Sequence, residues 1–273
     1  MAQAVVPRSV VLNLVRVAPS RSASIKLLLR ACALFGLQEN AVRVAVTRCV
    51  ALGLLDSDER GSYRLGSAAQ AVSEHIEQWH RGEARLRPWS GHWLAVALPP
   101  KPERSARRAS LQALARVGLR EGLPNLWLRP DNLRATLADT TQRLRGLGLE
   151  DGATLFRASD FDDALVQRVM RELWPLHALT RSYEHTCKSL ERSLAQLERM
   201  PRETALVQSF VLGGEAIRVL ATDPLLPEEI LASEPRARLT ETMLRYDQLG
   251  RSLWRRFATE PELAPVKARA RAG

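Results

Sequence analysis

A polar break between two helical patterns, followed by a short returning strand, fixes most of what residues 35–65 can become. Gly36 ends one pattern, and Gln38-Glu39-Asn40 supplies a turn and cap. A second pattern opens at Ala41 with apolar Val42, Ala45, Val46 and Cys49. At roughly 100° per residue these four share about one third of a helix, while Asn40, Arg43, Val44, Thr47 and Arg48 fall on a separate arc. Gly53-Leu54-Leu55 then leads into the polar turn Asp56–Gly61, and Ser62-Tyr63-Arg64-Leu65 returns as a strand. Helix, turn, helix and hairpin in this order predict a winged helix-turn-helix that reads DNA.

The free arc suits a groove. Arg43 and Arg48 offer fork-shaped donors to guanine or phosphate, and Asn40 and Thr47 can bond adenine or the backbone. On the wing, Arg60, Tyr63 and Arg64 are the residues expected near phosphates, whereas Asp56, Asp58 and Glu59 would repel them. The alternative for the same arginines is a solvated helix face in a three-helix packing unit.

The 273 residues suffice for two or three small domains, and the apolar share of 45% marks a globular chain. A net charge of +10 favours a polyanionic partner, and residues 1–66 hold nine Lys or Arg against four Asp or Glu. The apolar start Val10–Val15 is broken by Arg16, too short for a spanning helix or signal segment, so a cytoplasmic location without membrane contact is expected. Cys32, Cys49 and Cys187 lack metal or redox spacing and read as reduced, mostly buried thiols.

The expected fold class is mainly α with α+β. A domain over residues 1–80 opens with a helix from Pro7 to Val17, closed by Pro19. Ser22 or Ser24 caps a helix from Ile25 to Phe35, and a linking helix runs from Ala68 to Trp79 before the break Arg81-Gly82-Glu83. A central domain, 88–176, alternates strand and helix. Its strands are His92–Leu98, Leu126–Leu128 and Thr154–Arg157; its helices are 103–117, Leu133–Arg145 and Asp160–Leu173. The order resembles β-α-β-β-α-β and predicts a ferredoxin-like sheet. A helical domain, 177–260, follows, with the seam Tyr183, Cys187, Leu190, Leu194 and Leu197, helices Thr204–Leu220 and Arg238–Phe257, and the connector Asp223–Pro227. The seam is too short for a coiled coil, so packing within the chain is the expected use. Residues 261–273 form a basic flexible tail.

Catalytic constellations are thin. His75 and His80 are five apart, His177 and His185 have no acid at ligand spacing, and no phosphate loop, dinucleotide fingerprint or G-x-S-x-G occurs. The first central strand reads Leu94-Ala95-Val96-Ala97-Leu98, without the aspartate that a metal-dependent nuclease on such a sheet tends to carry. Neither enzyme activity nor a cofactor or metal is expected.

The chain resembles the PaaX-type repressors of phenylacetic acid degradation. The likeness rests on Ala41–Arg48 and Tyr63-Arg64-Leu65, then Trp89-Ser90-Gly91-His92-Trp93, Arg104–Arg108, Val117-Gly118-Leu119, Trp127, Pro130 and Asp223–Leu231. That resemblance implies a winged helix, a ferredoxin-like middle and a helical end, acting as a homodimer on double-stranded palindromic operator DNA and released by an acyl-CoA thioester such as phenylacetyl-CoA. Two features depart from the family: the acidic wing, and Ser233-Glu234-Pro235-Arg236 in place of Trp-Pro-Gly. Arg104, Arg107 and Arg108 are the candidates for the effector's phosphates, while the expected use of these arginines is a solvated helix face or non-specific phosphate contact. A two-state argument requires such a ligand to touch the middle and last domains or their hinge. The competing classes are a nuclease or CoA-ester-processing enzyme with a DNA-binding appendage, separated by metal-dependent cleavage, and a non-specific architectural binder, separated by site preference at fixed salt.

Overall fold

The computed structural model describes residues 6–18, 21–58, 61–100 and 103–259. Pro19, Glu59, Arg60 and the basic tail 261–273 lie outside the described residues.

Helix α1 (Pro7–Val17) opens with proline at its first turn, where the missing N–H costs no bond. After the short β1 (Ser22–Ser24), Ser24 caps α2 (Ile25–Ala33) by accepting from Leu27 N at 3.2 Å. The predicted helix to Phe35 stops two residues earlier. Gly36 takes the left-handed conformation, φ 70°, and Leu37 N bonds back to Cys32 O at 3.2 Å. Helix α3 (Glu39–Ala51) then begins two residues earlier than expected. Its N-cap is Gln38, which makes no side-chain cap bond, so Asn40 is a helical residue and not a cap.

Strands β2 (Leu55–Ser57) and β3 (Ser62–Leu65) form the expected hairpin, and β1, absent from the sequence reading, pairs antiparallel with the far edge of β3. Val11, Val15, Leu28, Cys32, Val42, Val46 and Leu55 make one core beneath these elements. All three cysteines are buried and free, and burial pushes the Cys32 thiol up to about 11, an inert state.

Helix α4 (Ser67–Glu77) passes into a 3₁₀ segment, Gln78–Arg85, broken at Gly82 (φ 44°, ψ −132°), inside the break read from the sequence.

The middle of the chain runs β4 (Trp93–Ala97), α5 (Arg104–Arg116), β5 (Arg120–Leu123), β6 (Leu126–Pro130), α6 (Leu137–Gly146) and β7 (Thr154–Ala158). All neighbours are antiparallel, in the order β5-β6-β4-β7, with Ala95 facing Leu128 on one side and Phe156 on the other. Strand β5 was not foreseen. Helix α6 starts later than the predicted Leu133 because Thr136 and Asp139 form a reciprocal capping box. Val96 and Leu98 pack under α5 and α6 with Ala113, Leu114 and Leu144. Trp93, Ala95 and Leu128 occupy the opposite face, covered by Val169 of α7 (Asp163–Glu172), Trp174 and Leu226. Cover on both faces explains why β4 reads as an unbroken apolar run.

Helices α8 (Leu176–Leu197), α9 (Arg202–Ala221) and α10 (Glu234–Thr259) pack together around Tyr183, Leu190, Ala216, Leu220, Met243 and Tyr246. The predicted seam is therefore spent within the chain, with Leu194 only partly buried. By length and composition α9 could cross a membrane, yet it packs against both α8 and α10. Trp79 of the 3₁₀ segment is buried in the same core.

Two buried arginines tie these regions together. Arg236, 2% exposed, donates to both carboxylate oxygens of Glu83 at 2.7 and 2.9 Å and to Leu226 O at 3.1 Å, and lies 3.7 Å from Asp223. Arg129 donates to Asn132 Oδ1 at 3.0 Å, and Asn132 in turn donates to Leu225 O at 2.8 Å. Burial raises the carboxyl of Asp223 above its ordinary range, opposed chiefly by Arg236. The segment Asp223–Pro227 is thus wholly buried, and Arg236, one of the residues that departs from the resemblance, is what anchors it.

Candidate nucleic-acid interface

Helix α3 carries the candidate surface, since its apolar spacing leaves it only one way to pack. Val42, Ala45, Val46 and Cys49 are buried, and Asn40, Arg43, Val44, Thr47 and Arg48 are exposed together on the other side. Val44 is 50% exposed, the apolar member of an otherwise polar face and a shape suited to a thymine methyl.

The arginines of this face differ. Arg43 donates through Nε and Nη2 to Glu39 Oε1, at 2.9 and 2.7 Å. Arg48 has no ion pair among the described residues. Glu39, placed in the preceding turn by the sequence reading, is a first-turn helix residue beside that exposed face. The i,i+4 spacing to Arg43 was the available signal, lost by opening the helix at Ala41.

Two backbone contacts hold α3 in place. Gly53, φ 64°, closes it, and Ala68 N at the head of α4 donates to Gly53 O at 3.1 Å. A Cβ on Gly66 would lie 2.3 Å from that same Gly53 oxygen, so only glycine lets α4 approach α3 this closely.

On the hairpin, Asp58 N donates to Ser62 O at 2.9 Å while Asp58 Oδ1 accepts from Ser62 N at 2.8 Å, so this acid builds the turn. Arg64 is exposed and sits 3.7 Å from Asp56, its cross-strand neighbour. Tyr63 is half-buried against the first core, which leaves less of its ring for a phosphate contact than the sequence suggested. Arg60, the third wing residue, lies outside the described residues.

Arg104 and Arg108 stand exposed on α5, and Arg107 donates to Asn125 Oδ1 at 3.1 Å. None of the three lines the cavity that opens between α1 and α2 on one side and α9 and α10 on the other. Burial and a backbone partner, not an acid, define His75: its Nε2 meets Ala221 O at 3.1 Å, and burial lowers its pKa to about 4. His80 moves the other way, raised first by its bond to Asp247. Among the described residues no group of three His, Cys, Asp or Glu is arranged to hold a metal.

A solved structure of an uncharacterized protein from Mycobacterium tuberculosis is similar in fold, with a TM-score of 0.59 and 25% identity over 92% of this chain and 97% of that one. No curated protein matches. Residues 6–69, which comprise α1 to β3 and the exposed face of α3, match the family described as PaaX-like protein, so the resemblance drawn from the sequence holds for the part of the chain that carries the candidate interface.

Proposed function

We propose that the chain is a sequence-specific, DNA-binding transcriptional regulator, and that residues 6–69 are a winged helix-turn-helix. The observation that carries this reading is the division of α3 into a buried apolar side and an exposed side of Asn40, Arg43, Thr47 and Arg48. The match of that segment to the PaaX-like family supports it. The β5-β6-β4-β7 order supports reading the middle of the chain as ferredoxin-like, joined here by a second helical layer. On this reading the protein works in the cytoplasm as a homodimer. Two copies of α3 enter successive major grooves about 34 Å apart. The wider resemblance assigns it to repression of an aromatic-acid catabolic operon, with release by an acyl-CoA thioester.

Selection of duplexes from a random pool, followed by footprinting on the chosen site at fixed salt, tests the reading. A single enriched, pseudo-palindromic site is the expected result. Arg48→Ala should cost about 1–3 kcal/mol and relax choice at one or two base pairs, the mark of a base contact. Equal affinity for all duplexes would refute sequence choice and favour an architectural binder.

A further inference from the structure

A cavity of about 600 Å³ lies where the first core meets the helical bundle. Its apolar walls include Leu14 and Leu28 from the first side and Phe210, Ile217, Met243 and Trp254 from the second. That volume is in the range of small-molecule sites, roughly 300–1,000 Å³.

Three glycines line it, and packing explains none of them. A Cβ on Gly214 would meet nothing within 4 Å, and one on Gly213 or Gly250 would make only ordinary contacts at 3.6 Å. None of the three has positive φ. A glycine inside a helix costs about 1 kcal/mol against alanine, and α9 carries two in succession. What they preserve is open space.

The charges at the rim are unequal. Four arginines (16, 21, 251 and 255) face two carboxylates, Glu77 and Asp247. Arg21 is paired with Glu77 at 3.0 Å, and Arg251 with Asp247 at 2.6 Å, while Asp247 also faces His80 at 3.5 Å. Arg16 and Arg255 are left without a carboxylate partner among the described residues. Arg16 is half-buried, and desolvation depresses its pKa against the opposing pull of Glu77 and Asp247, neither of which pairs with it directly. An apolar chamber with a guanidinium free of any direct ion pair is complementary to an apolar body bearing one anionic group.

We infer that this junction is a binding site for a small amphiphilic monoanion, an aryl or branched apolar body with a single carboxylate held by Arg16. Arg16 and Arg21 also line a second hollow of about 470 Å³ that reaches Asp58, Ser62 and Arg64 of the wing. An occupant of the first cavity therefore touches the first core and the bundle, and shares Arg16 and Arg21 with the hollow beside the hairpin. Its control of DNA affinity rests on the function proposed above; the site itself does not.

Calorimetric titration of the full chain with 2-naphthoate and with uncharged 2-naphthamide, without DNA, tests the site. Saturable binding of naphthoate is expected, at least tenfold tighter than the amide. Arg16→Gln should remove that preference while leaving amide binding unchanged. Gly214→Leu should abolish binding of both with a melting temperature equal to or above that of the wild type. No saturable binding of naphthoate, equal affinity for acid and amide, or retention of binding in Gly214→Leu would each overturn the inference. A protein that binds naphthoate in this manner but selects no DNA would leave the site standing and overturn only the regulator reading.

Discussion

Glu39→Gln is expected to tighten DNA binding about twofold while slightly destabilising the protein. In the free chain Glu39 Oε1 accepts from Arg43 Nη2 at 2.7 Å, with side chains 63% and 51% exposed. An exposed pair at this spacing is worth about 0.3–0.5 kcal/mol, and a guanidinium that turns to a base edge must give it up. Removing the competitor returns about 0.4 kcal/mol, or roughly a factor of two in Kd. The same carboxylate lies in the first turn of α3, where a negative charge contributes about 0.3–1 kcal/mol to the helix. Binding and stability therefore shift in opposite directions, which separates this effect from a general change in folding. In a double-mutant cycle, Arg43→Ala should cost about 0.4 kcal/mol more in the Glu39→Gln background than in the wild type. Fluorescence anisotropy with a selected duplex at one salt concentration provides the four affinities. If Glu39→Gln weakens binding, the carboxylate takes part in the contact, by accepting from cytosine or aligning Arg43, and the release argument is wrong.

Three other outcomes are expected. Gly66→Ala should destabilise the protein by about 2 kcal/mol or more, because the new methyl meets a backbone carbonyl that cannot turn aside; an unchanged urea midpoint would refute the close approach. His75 is neutral when folded, with a pKa of about 4 against an ordinary 6.5, so the unfolded chain gains the proton first as the pH falls. Stability is held above about 6.5 and lost toward 4, by about 2 kcal/mol between pH 7 and pH 5. His75→Gln, which can still donate to Ala221 O, should lack that loss in urea titrations, and parallel pH profiles would count against it. Arg236→Ala should cost about 3–5 kcal/mol by stranding buried Asp223, with part regained in the double variant with Asp223→Asn; thermal melts that add independently would show that the two charges do not interact.

The face of α3 was legible because an exposed and a buried arc at period 3.6 can be written only one way, and the residues on it follow from counting. Short strands carry no such mark. Ser22-Ala23-Ser24 is small and polar, and Arg120-Glu121-Gly122-Leu123 is half charged; both become strands only because a neighbouring edge offers its backbone groups. Arg129 and Arg236 carry no mark of their interior role in the sequence. A lone arginine reads as solvated, and only the tertiary arrangement of Glu83, Asp223 and Asn132 reveals them as interior residues. The junction chamber lies beyond any reading of one segment at a time, since its two walls come from opposite ends of the chain.

The partition between the first core and the bundle is not a clean seam. Phe35 lies 5.0 Å from Phe210 in an edge contact, Arg30 sits 4.7 Å from the centre of the Phe257 ring, and it donates to Phe257 O at 3.1 Å. Aromatic surface shared in this way resists opening like a hinge, because swinging one side away would wet several rings together. Displacements of the segment that carries α3 should instead travel as small sideways slips of α1 and α2 across α9 and α10, and severing the chain between them should leave a fragment that clumps through its uncovered rings.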